Sequence, residues 1–160
     1  MFYKTLIPTP IGFLIAVADE KKVFFLHAAN KQNELIEQAV PKDNQVLIDL
    51  HQYLNAYFEK RSLPQKPRVN LSGSEYTQNI KKACMGIPYG RTMSYQDLNN
   101  QAKALFGTDG SARAAGNVMA ANDIIILIPC HRVIRQDMSI GSYNLGPEVK
   151  QYLLDLEASK

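Results

Sequence analysis

The segment Ile124-Ile125-Ile126-Leu127-Ile128-Pro129-Cys130-His131-Arg132-Val133-Ile134 governs how the rest of this 160-residue chain is read. Five successive large aliphatic residues make a run of strand length, and the absence of polar alternation predicts a strand buried on both sides. Pro129 ends it, because proline has no amide hydrogen to donate and holds the preceding residue extended. A cysteine follows the turn and a histidine follows the cysteine. A free cysteine in apolar surroundings is ordinarily a packed, inert side chain. It becomes a nucleophile only as the thiolate, which requires a neighbour to take its proton. His131 is the one histidine of the C-terminal half and the nearest base in sequence.

Composition sets the frame around this segment. With 46% hydrophobic and 21% charged residues the chain is of globular type, neither disordered nor fibrous. Its length suits one ordinary domain or two small ones. The net charge of +3 announces no polyanion partner, but its distribution is uneven. Residues 81–135 carry seven Lys or Arg against three Asp, a local excess of +4 that fits a phosphate-facing surface and equally a solvated one. Two cysteines, Cys84 and Cys130, match no disulfide or metal framework, and a reactive thiol is best preserved in a reducing compartment. No signal-peptide layout or membrane span is read, so a cytoplasmic protein without membrane association is expected.

In the N-terminal half, residues 2–7, 12–18 and 23–27 read as an antiparallel meander, followed by helices over residues 32–40 and 44–60. The second helix carries an apolar stripe that is core. His27 and His51 are read as structural, since neither has a second ligand-type residue nearby in sequence, and no metal is expected. A proline-marked linker over residues 61–67 closes this α/β module, placing domains at residues 1–70 and 71–160.

The second half reads as mainly helical. A helix capped by Ser74 runs to Met85 with Ile80, Ala83 and Cys84 inward, which makes Cys84 a packing residue. Ser94 caps a helix reaching about Ala104, a glycine-rich loop follows, and a third helix spans residues 111–121. Two helices joined through glycine fit a helix-turn-helix, with a longer loop than usual. The third helix sets Arg113 among Ala112, Ala114, Ala115 and Gly116. Such small residues let a backbone approach another helix closely, or enter a groove as narrow as the minor groove of DNA. Pro147 suits the start of a last helix, with Val149, Leu153, Leu154 and Leu156 inward. Glu157, near its end, is unfavourable for the helix dipole and calls for a specific partner.

Pro129-Cys130-His131-Arg132-Val133-Ile134, behind an isoleucine-rich run, resembles the active-site signature of the O6-alkylguanine-DNA alkyltransferases, the methylated-DNA–protein-cysteine methyltransferases. The likeness covers about residues 76–157 and, more loosely, the whole chain. It implies a ribonuclease-H-like α/β module followed by a helix-turn-helix, winged-helix-like domain. It also implies roles. Tyr95 matches the tyrosine that rotates the target nucleotide. Arg113, in Ala112-Arg113-Ala114-Ala115-Gly116, matches the arginine that fills the space left by the flipped base. Asn122 matches the asparagine joining the helix-turn-helix to the active-site segment, and Glu157 matches the glutamate of a Glu–His–water–Cys relay. Tyr143 falls in the loop that closes over the alkylated base. Asp123 stands where members commonly have proline, and Asn144-Leu145 where some have small residues. Some members hold a structural zinc in the first domain; lacking cysteine there, this chain is expected to hold none.

The activity so implied is direct-reversal repair by a monomer, without cofactor, of double-stranded DNA approached through its minor groove. O6-alkylguanine, with O4-alkylthymine as a further substrate, would be flipped into a pocket formed by Tyr95, Cys130, Val133, Tyr143 and Asn144. His131, oriented by Glu157, would take the thiol proton. The thioether product has no carbonyl for water to attack, so one turnover per molecule is expected. Two other classes are compatible with parts of the sequence. A non-repairing module that binds alkylated DNA would have no use for Cys130, and a Cys–His thiol hydrolase would leave Tyr95 and Arg113 unexplained.

Overall fold

The alternation of small, β-branched and aromatic residues near the N-terminus folds into three strands, β1 (Tyr3–Thr9), β2 (Gly12–Ala18) and β3 (Val23–Ala28), in a computed structural model that describes residues 1–159. β1 pairs antiparallel with β2 and β2 with β3, in the register Ile7 opposite Leu14 and Val17 opposite Phe25. Contacts concentrate within two compact units, one spanning Met1–Asn70 and one from Leu71 onward.

The first unit differs from the sequence reading at one place. The expected helix over residues 32–40 shrinks to α1 (Glu34–Gln38), and β4 (Val40–Pro41) runs parallel to β1 as the fourth strand of the order β3-β2-β1-β4. The cause is local: Pro41 holds Val40 extended, so the helix stops before it. α2 (Gln45–Phe58) is capped by Asn44, whose side chain accepts the Leu47 amide at 3.0 Å. Its apolar stripe buries Leu47, Leu50, Leu54 and Tyr57. A second cluster joins Val17, Phe25 and Ala39 with Leu35 and Ile36 of α1. His27 is buried, while His51 lies 3.9 Å from the Asp43 carboxylate, a neighbour the sequence did not offer.

In the second unit α3 (Glu75–Met85), α4 (Tyr95–Phe106) and α5 (Ala112–Ala120) pack against one another. Each has a serine cap that accepts a first-turn amide: Ser74 from Thr77, Ser94 from Asp97 and Ser111 from Ala114. Gly107 ends α4 in the left-handed conformation, at φ 72°, where a side chain would be strained. The loop beyond it is held by Asn79, whose amide donates to the Thr108 hydroxyl at 2.6 Å. α5 has two faces. Ala115, Val118 and Met119 are buried against the bundle, while Arg113, Asn117 and Ala120 are exposed, so its small residues serve close packing on one side only.

The run of five aliphatics is not a strand. Residues 124–128 are buried, as their composition requires, but they wind through successive turns. The Leu127 amide donates to Ile125 at 2.7 Å and the Ile128 amide to Ile124 at 3.1 Å, and Ile126 takes φ 69°. Apolarity fixes burial but not backbone geometry. Here the Asn122 side chain supplies bonds a neighbouring strand would have given: it accepts from the Ile124 amide at 3.1 Å and donates to the carbonyls of Ile124 and Ile128 at 3.2 and 3.0 Å. The chain then enters a 3₁₀ turn, Cys130–Arg132, and the strand β6 (Val133–Ile134). β6 pairs parallel with β5 (Met93–Ser94), Met93 opposite Val133. That short ladder brings the start of α4 beside the cysteine turn. α6 (Pro147–Ala158) closes the unit with proline in its first turn. No helix among the described residues is long and apolar enough to cross a membrane.

Candidate active site

Cys130 is 3% exposed, yet its sulfur is not packed in hydrocarbon alone. The Asn122 amide that braces the preceding turns also donates to Sγ at 3.1 Å. The sulfur lies in the wall of a cavity of about 180 Å³ lined also by Tyr95, Gly116, Ser142, Tyr143 and Asn144. The buried Tyr143 hydroxyl makes no well-formed hydrogen bond among the described residues and lies near enough to Sγ for each group to alter the other's proton affinity. Burial pushes the Cys130 thiol up, opposed by the Asn122 bond and then by the charge of Lys150. Burial likewise raises Tyr95, with the neighbouring Cys130 adding to it, and carries Tyr143 well above the usual phenol range.

The adjacent histidine turns the other way, into the protein. His131 Nε2 lies 2.6 Å from Glu157 Oε2 with both side chains buried. Arg132 grips the same carboxylate, Nε to Oε1 at 2.7 Å and Nη2 to Oε2 at 3.1 Å, and its Nη1 donates to the Ile87 carbonyl at 2.8 Å. The Gly90 amide adds a bond to Oε1 at 3.2 Å. This is the partner that the position of Glu157 near a helix end called for. A carboxylate held by a guanidinium accepts from Nε2, which assigns the ring proton to Nε2 and leaves Nδ1 with its lone pair. Nδ1 is buried and has no hydrogen-bond partner among the described residues. Burial pushes the imidazolium down more than the Glu157 bond raises it, so the ring is a neutral base below the ordinary histidine range.

Two members of this cluster carry no signal in the sequence. Arg132 sits inside the motif but is read there as a surface cation. Lys150 occupies a helix that periodicity fills inward with Val149, Leu153, Leu154 and Leu156, whereas the buried positions of α6 are Lys150, Leu153 and Glu157. The Lys150 ammonium donates to the carbonyls of Val133 at 2.7 Å and Ser142 at 3.3 Å and lies 5.8 Å from the centre of the Tyr95 ring. Burial lowers its pKa to about 8, the attraction of Cys130 opposing that shift. Glu157 follows seven residues later on the same helix, which sets the two side chains on one face.

Of the residues singled out from the sequence, Tyr95, Cys130, Tyr143, Asn144 and Gly116 meet at the cavity. Asn144 also donates to the Asn122 carbonyl at 2.9 Å, tying the loop after β6 to the segment before the cysteine. Val133 lies behind the wall: it is fully buried, is absent from the lining, and its carbonyl is taken by Lys150. Arg113 and Ala112 line a wider groove of about 430 Å³ that shares Tyr95, Gly116, Ala120 and Ser142 with the cavity, whereas Ala114 touches neither space. Among the described residues no group of three or more His, Cys, Asp or Glu is placed to share a metal ion.

Two family descriptions cover the chain: "6-O-methylguanine DNA methyltransferase, ribonuclease-like domain" over residues 2–66 and "6-O-methylguanine DNA methyltransferase, DNA binding domain" over residues 75–159. A methylated-DNA–protein-cysteine methyltransferase of Saccharolobus solfataricus is 29% identical over 152 residues, 95% of this chain and 93% of that protein. The crystal structure of Mycobacterium tuberculosis O6-methylguanine methyltransferase superposes with a TM-score of 0.84 at 31% identity, covering 99% of this chain and 93% of the other. The crystal structure of Mycobacterium tuberculosis OGT in complex with DNA gives 0.86 at 31% identity, with 98% and 92% covered.

Proposed function

The chain belongs to the 6-O-methylguanine DNA methyltransferase family, and from that premise we propose that it repairs DNA by direct reversal, moving an alkyl group from the O6 atom of guanine to Cys130. The observation that carries this reading is the setting of the sulfur: Sγ faces a cavity, accepts an amide hydrogen at 3.1 Å, and belongs to the residue beside an imidazole held by a buried carboxylate. A merely packed thiol needs none of these.

Residues 1–70 form the supporting α/β module, and residues 71–160 bind DNA and carry the chemistry. α4 and α5 act as a helix-turn-helix whose exposed α5 face enters the minor groove, with Ala112, Ala114 and Gly116 small enough for close approach. A sulfur in a buried turn cannot reach into stacked bases, so the alkylated nucleotide rotates out into the cavity. Arg113 fills the space it leaves, and Tyr95 and Tyr143 flank the base. His131 Nδ1 takes the Cys130 proton through a bridging water, Glu157 stabilises the imidazolium, and Asn122 and Lys150 stabilise the thiolate. The thiolate then forms the S–C bond as the C–O6 bond breaks. Guanine leaves with the electron pair, and the proton held by His131 is available to it. The product thioether resists hydrolysis, so each monomer acts once.

Duplex DNA carrying O6-methylguanine, incubated with an excess of protein, is expected to leave one added methyl on Cys130 by peptide mass spectrometry and none on Cys130→Ala. Sustained turnover at sub-stoichiometric protein would overturn the single-use mechanism and favour a thiol hydrolase. Binding without methyl uptake by wild type would favour a recognition module. Arg113→Ala is expected to slow repair of duplexes by a larger factor than reaction with free O6-benzylguanine; equal losses would remove Arg113 from the duplex.

A further inference from the structure

Above the cavity, the groove that carries Arg113 has a second arginine. Arg135 follows β6 and faces the same groove, whose lining includes the carboxamides of Gln96, Asn117 and Gln136 and no carboxylate. The surface is therefore suited to a polyanion on charge alone. The two cations come from different elements, one from α5 and one from the turn after β6.

The placement of Arg135 is fixed from both ends. Its backbone closes a tight turn, its amide donating to the Ser139 carbonyl at 2.9 Å and its carbonyl accepting from Met138 at 3.0 Å. Its side chain lies along Gly141, where a Cβ would sit 3.5 Å from Arg135 Cγ and Nε and 3.7 Å from the Tyr95 hydroxyl oxygen. The guanidinium stem thus reaches the mouth beside Tyr95. The nearest carboxylate on its own turn, Asp137, feels the arginine's charge but is engaged by the Ser139 amide and hydroxyl at 3.0 and 2.6 Å. Among the described residues Arg135 makes no ion pair.

A nucleotide that rotates out of the stack carries its phosphodiester to the mouth of the cavity. If Arg113 occupies the stack, its guanidinium is withdrawn from that phosphate, and a planar fork of donors on the opposite rim matches the two non-bridging oxygens. We propose that Arg135 binds the phosphodiester of the extruded nucleotide, a role that rests on the alkyl-transfer reading and adds a second cation to it.

The test is the salt dependence of methyl transfer from duplex DNA containing O6-methylguanine. For Arg135→Gln the slope of log rate constant against log salt is expected to fall by about 0.9, the loss of one phosphate contact. Arg135→Lys keeps the charge and is expected to retain most of the slope, which separates charge from folding. Neutralising single phosphates beside the lesion as methylphosphonates is expected to slow wild type at one linkage, with no further slowing of Arg135→Gln there. A wild-type slope in Arg135→Gln, or equal slowing of both proteins at every linkage, would overturn the inference. Failure of wild type to take up methyl from any duplex would instead sink the alkyl-transfer reading beneath it.

Discussion

The two compact units handle buried polarity in opposite ways. Among the described residues the first unit encloses one side chain of polar or charged type, His27, inside a core of Leu, Ile, Val, Phe and Tyr. The second encloses Asn79, Asn99, Asn122, His131, Arg132, Lys150 and Glu157. Buried polar groups cost stability unless every one is partnered, so the second unit holds its groups through a network. The two cysteines repeat the contrast at the scale of one residue. Cys84 is buried on α3, as are Ile80 and Ala83, whereas Cys130 lies in the wall of a cavity with the Asn122 amide on its sulfur. Burial is common to both thiols; the cavity that its sulfur faces is what distinguishes Cys130.

Breaking that contrast has its largest effect at the thiols. Cys130→Ala is expected to abolish methyl uptake and Cys84→Ala to retain one methyl per molecule, both read by mass spectrometry after incubation with methylated DNA. The next largest effect separates network from packing. Arg132→Ala leaves the Glu157 carboxylate short of its main partner and is expected to cost about 3–5 kcal/mol in urea unfolding, together with a slower transfer rate per folded molecule. Leu50→Ala in the first unit is expected to cost about 2–5 kcal/mol by opening a cavity and to leave that rate unchanged.

Lys150 sharpens the comparison through pH. With His131 as the proposed neutral base and its imidazolium depressed by burial, the transfer rate is expected to rise with pH along a limb below the ordinary histidine value of 6.5. In the proposed mechanism Lys150 helps the thiolate only while protonated, and its pKa is about 8, so the rate is expected to fall again as pH passes that value. Lys150→Met is expected to lower the rate roughly tenfold, the effect of about 1.4 kcal/mol of lost attraction, and to remove the descending limb. A descending limb retained in the variant would assign it to another group. The smallest effect is at Gly116. A Cβ there would meet only the Tyr95 ring, at 3.7 Å, so Gly116→Ala is expected to raise helix stability by up to about 1 kcal/mol in thermal melts. It narrows the cavity mouth, and O6-benzylguanine should react more slowly relative to methyl-bearing DNA.

Much of the fold could be read from local chemistry. Asn44, Ser74 and Ser94 mark helix starts because a short polar side chain before an apolar stripe has one good use, and β1 to β3 follow from turns at Pro8 to Pro10 and Asp19 to Lys22. The aliphatic run at residues 124–128 could not be read this way. Five Ile and Leu residues state that water is excluded, and the turns they adopt depend on Asn122, whose bonds are visible only in three dimensions. Lys150 was hidden for the same reason. A lysine in a helix reads as solvated until the carbonyls of Val133 and Ser142, on other segments, are seen to converge on it. His131 was legible from its place beside Cys130, but its pairing with Glu157, 26 residues away, was legible only through likeness to a family, and the grip of Arg132 on the same carboxylate was not legible at all.

The turn at Ile126 bears on what happens when the protein comes apart. A β-branched residue at φ 69° is held there against its preference, within a five-residue aliphatic run that would otherwise extend. Released from the fold, this run has the makeup of an amyloid-forming segment: apolar, uncharged and strong in sheet propensity. Asp123 on one side and Pro129 on the other are flanking breakers of the kind that limit such stacking. Replacing Asp123 with a small apolar residue would therefore be paid in insoluble aggregate on heating.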